Sequence, residues 1–196
     1  MNTSEYVAEK QHKDYEKGKK SQMLFMDLMK KNGYRCYSAD TFQDVNEHWD
    51  VVTVKDIENG TKIFERFDVK GLKECVSEGF EWIELMTVDG RKGWLYSEYM
   101  DSLAFELNDY FILIKRIELV PIIEANIAIM DKLDEEAGER IPLLRVIKDG
   151  LLNYQRYCRI LWGKNDVVVK ALIKDFEHLT FAKLYKKDGK LEIIII

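Results

Sequence analysis

Asp50, Asp68 and Lys70 combine residue types and spacing that suit acid-and-cation chemistry. In Phe64-Glu65-Arg66-Phe67-Asp68-Val69-Lys70, side chains of an extended strand alternate between faces, so Asp68 and Lys70 share one face. Phe67 and Val69 take the other. Asp50 opens an earlier apolar run, with Trp49 and Val51 directed to the opposite face. If the two strands pair, two carboxylates and one ammonium converge at a strand end. Two hard oxygen ligands can hold Mg²⁺, or Mn²⁺ in its place, which keeps several waters and takes the rest of its shell from a substrate phosphate. Such a metal lowers the pKa of a bound water and stabilises charge on the phosphate. A neighbouring lysine can orient the attacking water or stabilise the developing anion.

The elements that must position these residues are legible in outline. Residues 4–32 read as a helix that ends at Gly33, with Lys30 and Lys31 in its last turn. Met23, Leu24, Met26, Leu28 and Met29 crowd its second half, which is expected to pack on the core. Its first half is polar. Strands are expected at 34–37 and 48–54, and at 62–70 after the turn Glu58-Asn59-Gly60. Further strands are expected at 80–86, at 103–107 and 110–115 around Asn108-Asp109, and at 167–173. A second helix covers 118–132, with Pro121 in its first turn. The stretch 141–163 is ambiguous and partly helical, residues 175–179 open a short helix, and 191–196 read as a buried final strand. This order predicts a single domain of α/β or α+β class rather than a regular βαβ winding.

Composition sets limits. The 196 residues are 46% hydrophobic and 33% charged, with 2 prolines, which excludes a disordered or collagen-like chain. Cys36, Cys75 and Cys158 are widely spaced, so neither a disulfide framework nor a cysteine zinc site is expected, and a reducing cytoplasm fits. The first twenty residues lack the apolar core of a signal peptide, and the apolar run at 191–196 is too short to cross a bilayer, so no membrane partner is expected. The net charge of −5 hides local surpluses. Residues 10–20 hold five lysines against two acids, and residues 140–190 hold twelve Lys or Arg against five acids. A locally basic face can bind phosphate whatever the total charge.

The string His48-Trp49-Asp50, a gap, then Asp68-Val69-Lys70 resembles the PD-(D/E)XK nuclease superfamily, the fold of many restriction enzymes and of archaeal Holliday-junction resolvases. The basic segment Lys17-Gly18-Lys19-Lys20-Ser21-Gln22 looks like the first helix of the resolvase branch. The resemblance covers about residues 15–116 and leaves 117–196 as a C-terminal extension. It implies a restriction-endonuclease-like core, a helix followed by a central mixed sheet. It also implies one or two Mg²⁺ held by Asp50, Asp68 and the Val69 carbonyl, hydrolysis of phosphodiester bonds in DNA with Lys70 assisting the water, and a possible homodimer. Gln22, with Lys19 or Lys20, would finish the site from the helix. Gln22 stands where resolvase relatives carry a glutamate, and Trp49 where the family has proline. The longer string, with Trp82-Ile83-Glu84 and Gly93-Trp94-Leu95-Tyr96, also looks like proteins common in tailed phages.

Each feature has a plainer reading. Asp68 and Lys70 can form an exposed ion pair, although Phe64 on the same face argues against full solvation. His48 can be a metal ligand, a base or a structural histidine. Trp82, Trp94 and Tyr96, near Arg91 and Lys92, can stack bases or fill a core. Arg156, Arg159 and Lys164 interleave with aromatics as a DNA backbone contact would, or as the basic face of an amphipathic helix. Cys75 and Cys158 read as small buried hydrophobes. Gln22 and the acidic total also suit a catalytically inactive nuclease-fold protein that binds nucleic acid or a host protein. A third reading is an assembly protein in which Asp50 lies far from Asp68.

Overall fold

The computed structural model describes the backbone of residues 3–137, 153–161 and 164–194, and the side chains of 15–128, 153–158 and 166–194. In chain order the elements are α1 (Thr3–Lys31), β1 (Arg35–Ser38), a π-helical turn (Gln43–Glu47), β2 (Val51–Asp56), β3 (Lys62–Lys70), α2 (Glu74–Ser77) and β4 (Phe80–Met86). They continue with β5 (Ser102–Glu106), β6 (Tyr110–Lys115), α3 (Arg116–Ala137), β7 (Arg156–Leu161), β8 (Lys164–Leu172), α4 (Ile173–Phe176), β9 (Thr180–Tyr185) and β10 (Leu191–Ile193). The class is mixed α+β.

The chain forms two compact units. The first takes residues up to Leu72, then Tyr99–Ile114 and the segment from Thr180. Its sheet has the strand order β1-β2-β3-β5-β6-β9-β10. β2 and β3 form an antiparallel hairpin, closed by a turn in which Gly60 takes φ +79, a left-handed conformation that favours glycine. β3 and β5 run parallel, from Phe67 opposite Ser102 to Lys70 opposite Phe105. Helix α1 lies on one face. Phe25, Leu28 and Met29 pack there with Val51, Phe67, Val69, Ala104, Phe111, Leu113, Ala182 and Leu184. The Phe25 ring sits 5.1 Å from Phe67 and 5.6 Å from Phe111. Each buried Val, Leu, Met or Phe side chain among them contributes about 1.5–3 kcal/mol.

α1 stops where its backbone is capped. Gly33 has φ +81, its N–H donates to the Lys30 carbonyl, and Tyr34 N–H donates to the Met29 carbonyl. Asn32 Nδ2 donates to the carbonyls of Leu28 and Gly189, tying the helix end to the turn before β10.

The second unit takes Lys73–Glu98 and Lys115–Leu179. Its sheet has the order β4-β8-β7, both pairs antiparallel. Phe80, Trp82 and Tyr157 stack edge to face within it.

Several expectations need correction. Residues 156–161 form a strand, so Arg156 and Arg159 do not lie on a helix; residues 138–152 fall outside those described. The 180–185 stretch, unassigned from sequence, is a strand inside the large sheet. The last strand is short and lies at the sheet edge with Ile193 exposed, so it is not buried. Met23 points to solvent, while Phe25 carries the helix packing. α3 starts at Arg116, which places Pro121 beyond its first turn. Among the described residues no helix is long and apolar enough to cross a membrane.

Candidate functional site

β3 lies between β2 and β5, but β2 covers it only as far as the Val51–Phe67 pair. Beyond Phe67 that edge of β3 is met by Asp50. The Asp50 N–H donates to the Phe67 carbonyl at 2.8 Å. The Asp50 carboxylate Oδ2 accepts from the Val69 N–H at 2.7 Å. N–H and C=O of one strand residue point to the same edge, so the Val69 carbonyl faces this side as well. Period-two alternation holds: Asp68 and Lys70 share a face, and Lys70 Nζ lies 2.6 Å from Asp68 Oδ2.

This ion pair is not a surface pair. Asp68 is buried and the Lys70 side chain is mostly buried. Phe64 does not cause that burial, because it is exposed near the other end of the strand. The residues paired with Asp68 and Lys70 are Leu103 and Phe105, both fully buried on β5.

Gln22 reaches the site from α1, but through the main chain. Its Nε2 donates to the Asp50 carbonyl at 2.9 Å, and that carbonyl also accepts from Ala39 N–H at 2.7 Å. A glutamate at position 22 has no proton to offer there when ionised. Gln22 therefore positions Asp50 by its backbone.

The residue that sequence reasoning missed is Asp44, on the π-helical turn. Burial pushes its carboxyl up; Asp68 does so next, and Lys70, Lys19 and His48 oppose. Asp44 thus lies within electrostatic reach of the Asp68–Lys70 pair. The turn had a legible signal. Asp40 and Gln43 form a capping box, each side chain bonding the other's backbone N–H at 2.9 Å. His48 closes the turn in the left-handed region, with φ 55. That conformation is uncommon for a non-glycine residue and swings the chain toward Asp50.

Asp50 carries a strong electrostatic signature. Its carboxyl rises from an ordinary 3.8 to about 7. Burial is the main cause, and the neighbouring Asp68 charge adds to it. Lys70 and the Val69 N–H oppose the rise. The donor set is all oxygen, which suits a small hard cation. Among the described residues no three His, Cys, Asp or Glu side chains are grouped to hold a metal. The oxygens that could hold such a cation are those of Asp50, Asp68 and the Val69 carbonyl.

The other candidates lie elsewhere. Lys19 and Lys20 are exposed on α1, with Lys19 on the side toward Asp44. Arg156 sits on β7 in the second unit, within electrostatic reach of Tyr96. The side chains of Arg159 and Lys164 lie outside the described residues. Trp82 is half-buried in an aromatic cluster and Trp94 is buried, so both belong to the second unit's packing. Cys75 is buried and its thiol is pushed up to about 11 by burial and then by Glu81, which suits no nucleophile. No family model, no curated protein and no solved structure matches this chain.

Proposed function

We propose that this chain is a metal-dependent DNA endonuclease of the PD-(D/E)XK kind, with a restriction-endonuclease-like core. The observation that carries the reading is the meeting of Asp50, Asp68 and Lys70 where β2 ends beside β3. Asp50, Asp68 and the Val69 carbonyl would hold Mg²⁺ or Mn²⁺. When bound, the cation supplies a water of lowered pKa and charge stabilisation at the scissile phosphate. Lys70, fixed against Asp68, offers its remaining protons to the attacking water or to a phosphate oxygen. Asp50 must give up its proton before it can act as a ligand, so metal affinity should rise with pH through about 7. Gln22 and Ala39 fix the Asp50 main chain, and Lys19, within electrostatic reach of Asp44, would meet incoming phosphates from α1.

The test is a cleavage assay on plasmid, linear duplex, single-stranded and four-way-junction DNA with Mg²⁺, Mn²⁺ or EDTA. Asp68→Ala and Lys70→Ala run alongside. Metal-dependent cutting lost in both folded variants supports the reading. Absence of cutting by the folded wild type, with no Mg²⁺ or Mn²⁺ binding by calorimetry, sinks it in favour of an inactive binding protein.

A further inference from the structure

On its own face of β3, Asp68 stands between two cations, Arg66 at i−2 and Lys70 at i+2. The two behave differently. Arg66 turns away and pairs with Asp101, its Nε 3.2 Å from Oδ2. Lys70 leans back along the strand until its Nζ lies 2.6 Å from Asp68 Oδ2, in a pair that is mostly buried. The β5 residues opposite, Leu103 and Phe105, are apolar and buried, so that flank supplies no counter-charge. On the other flank stands Asp50, a second acid.

A buried carboxylate needs a counter-ion, because its lost hydration must be replaced. Lys70 meets that need with one positive charge where two carboxylates come together. The oxygen it occupies belongs to the set that a divalent cation would use. Asp50 Oδ2 is occupied too, by the Val69 N–H at 2.7 Å. The metal-free site is thus satisfied by the protein's own donors, and an arriving cation must displace one of them. The amide is fixed in the strand, whereas the ammonium rides on a flexible four-carbon stem. Like charges repel at this range, so the ammonium is the group that yields.

We propose that Lys70 stands in for the divalent cation in the metal-free protein, and that the cation, on binding, takes Asp68 Oδ2 and releases the ammonium toward the substrate phosphate. The inference rests on the nuclease reading for the cation and on the Asp68–Lys70 contact for the exchange. Held against Asp68, the ammonium can offer only its remaining protons; released, it offers all three. The site is therefore assembled in order, with the lysine delivered only after the cation is held.

The test uses the full chain at pH 8. Crystals grown in EDTA, and the same crystals soaked in Mn²⁺ located by its anomalous scattering, give the position of Lys70 directly. Its Nζ should lie against Asp68 in EDTA, and beyond about 4 Å from both Asp68 oxygens once Mn²⁺ is on Asp50 and Asp68. Calorimetry measures the competition in solution. Lys70→Met should bind Mn²⁺ about tenfold more tightly than the wild type, or better, because the competing ammonium has gone. Arg66→Met removes the cation on the other side of Asp68, which already has its own partner, and should change the affinity by less than about twofold. Mn²⁺ on both carboxylates with Nζ still against Asp68 overturns the exchange and leaves the nuclease reading standing. So does a Lys70→Met affinity no tighter than the wild type, or equal tightening in the two variants, which would report the general field rather than displacement. If Lys70→Met does not fold, the two wild-type crystal forms decide alone. Absence of Mn²⁺ from Asp50 and Asp68, in crystals and in calorimetry, removes this inference and the nuclease reading together.

Discussion

Asp50→Asn should stabilise the metal-free protein at alkaline pH while abolishing metal-dependent chemistry. The Asp50 carboxyl is raised from 3.8 to about 7 in the folded state. A carboxyl raised on folding takes up a proton, so its contribution to stability is fully present below about 4 and is lost as pH rises through about 7. Asparagine is close in shape to the protonated carboxyl, and its Oδ1 can still accept from the Val69 N–H. The variant therefore lacks this loss. Between pH 5 and pH 8 the wild type should fall relative to the variant by about 3 kcal/mol, taking about 1.4 kcal/mol per unit up to the folded pKa. Urea denaturation of both proteins in EDTA at pH 5, 6, 7 and 8 measures the difference directly. Other titrating groups cancel where the substitution leaves them undisturbed. Adding Mg²⁺ at pH 8 should raise the wild type only. A difference that stays constant from pH 5 to 8, or a variant equally destabilised throughout, would refute the electrostatic account of Asp50.

Three structural predictions follow from the contacts around β3. Gln22→Glu removes the donor to the Asp50 carbonyl and should cost about 1–3 kcal/mol in urea denaturation, with cleavage reduced rather than enhanced despite the added carboxylate. Gly71→Ala would place its Cβ 2.6 Å from Ser21 Oγ and 3.2 Å from Ser21 Cβ, and should destabilise by about 1–3 kcal/mol, with Ser21→Gly restoring much of the loss in a double-mutant cycle. Lys186→Ala leaves Glu106 buried without its ion-pair partner at 2.6 Å, although Glu106 still accepts from Leu72 N–H. It should cost about 3 kcal/mol by the same measurement, and Lys186→Arg much less.

Much of this site follows from local rules. Asp68 and Lys70 share a face because a strand alternates, and β2 meets β3 because a short turn at Gly60 leaves the chain little choice but to fold back. The C-terminal end of α1 follows from Gly33 and the lysines before it. The capping box at Asp40 and Gln43 was equally local, and reading it would have placed the helical turn that carries Asp44. Other features had no local signature. Burial of Asp68 depends on a parallel strand arriving from residues 102–106, and the sheet is completed by β9 and β10 from near the other end of the chain. Phe64 shares a face with Asp68 and still lies in solvent, because strand alternation assigns a face but not the depth along it. Gln22 matches a site position by spacing, yet its amide serves the Asp50 backbone, since the helix–sheet approach decides which atoms meet. The chain's own pattern thus determined which side chains could act together; long-range packing decided how dry their surroundings are, and with that the charge Asp50 carries near neutral pH.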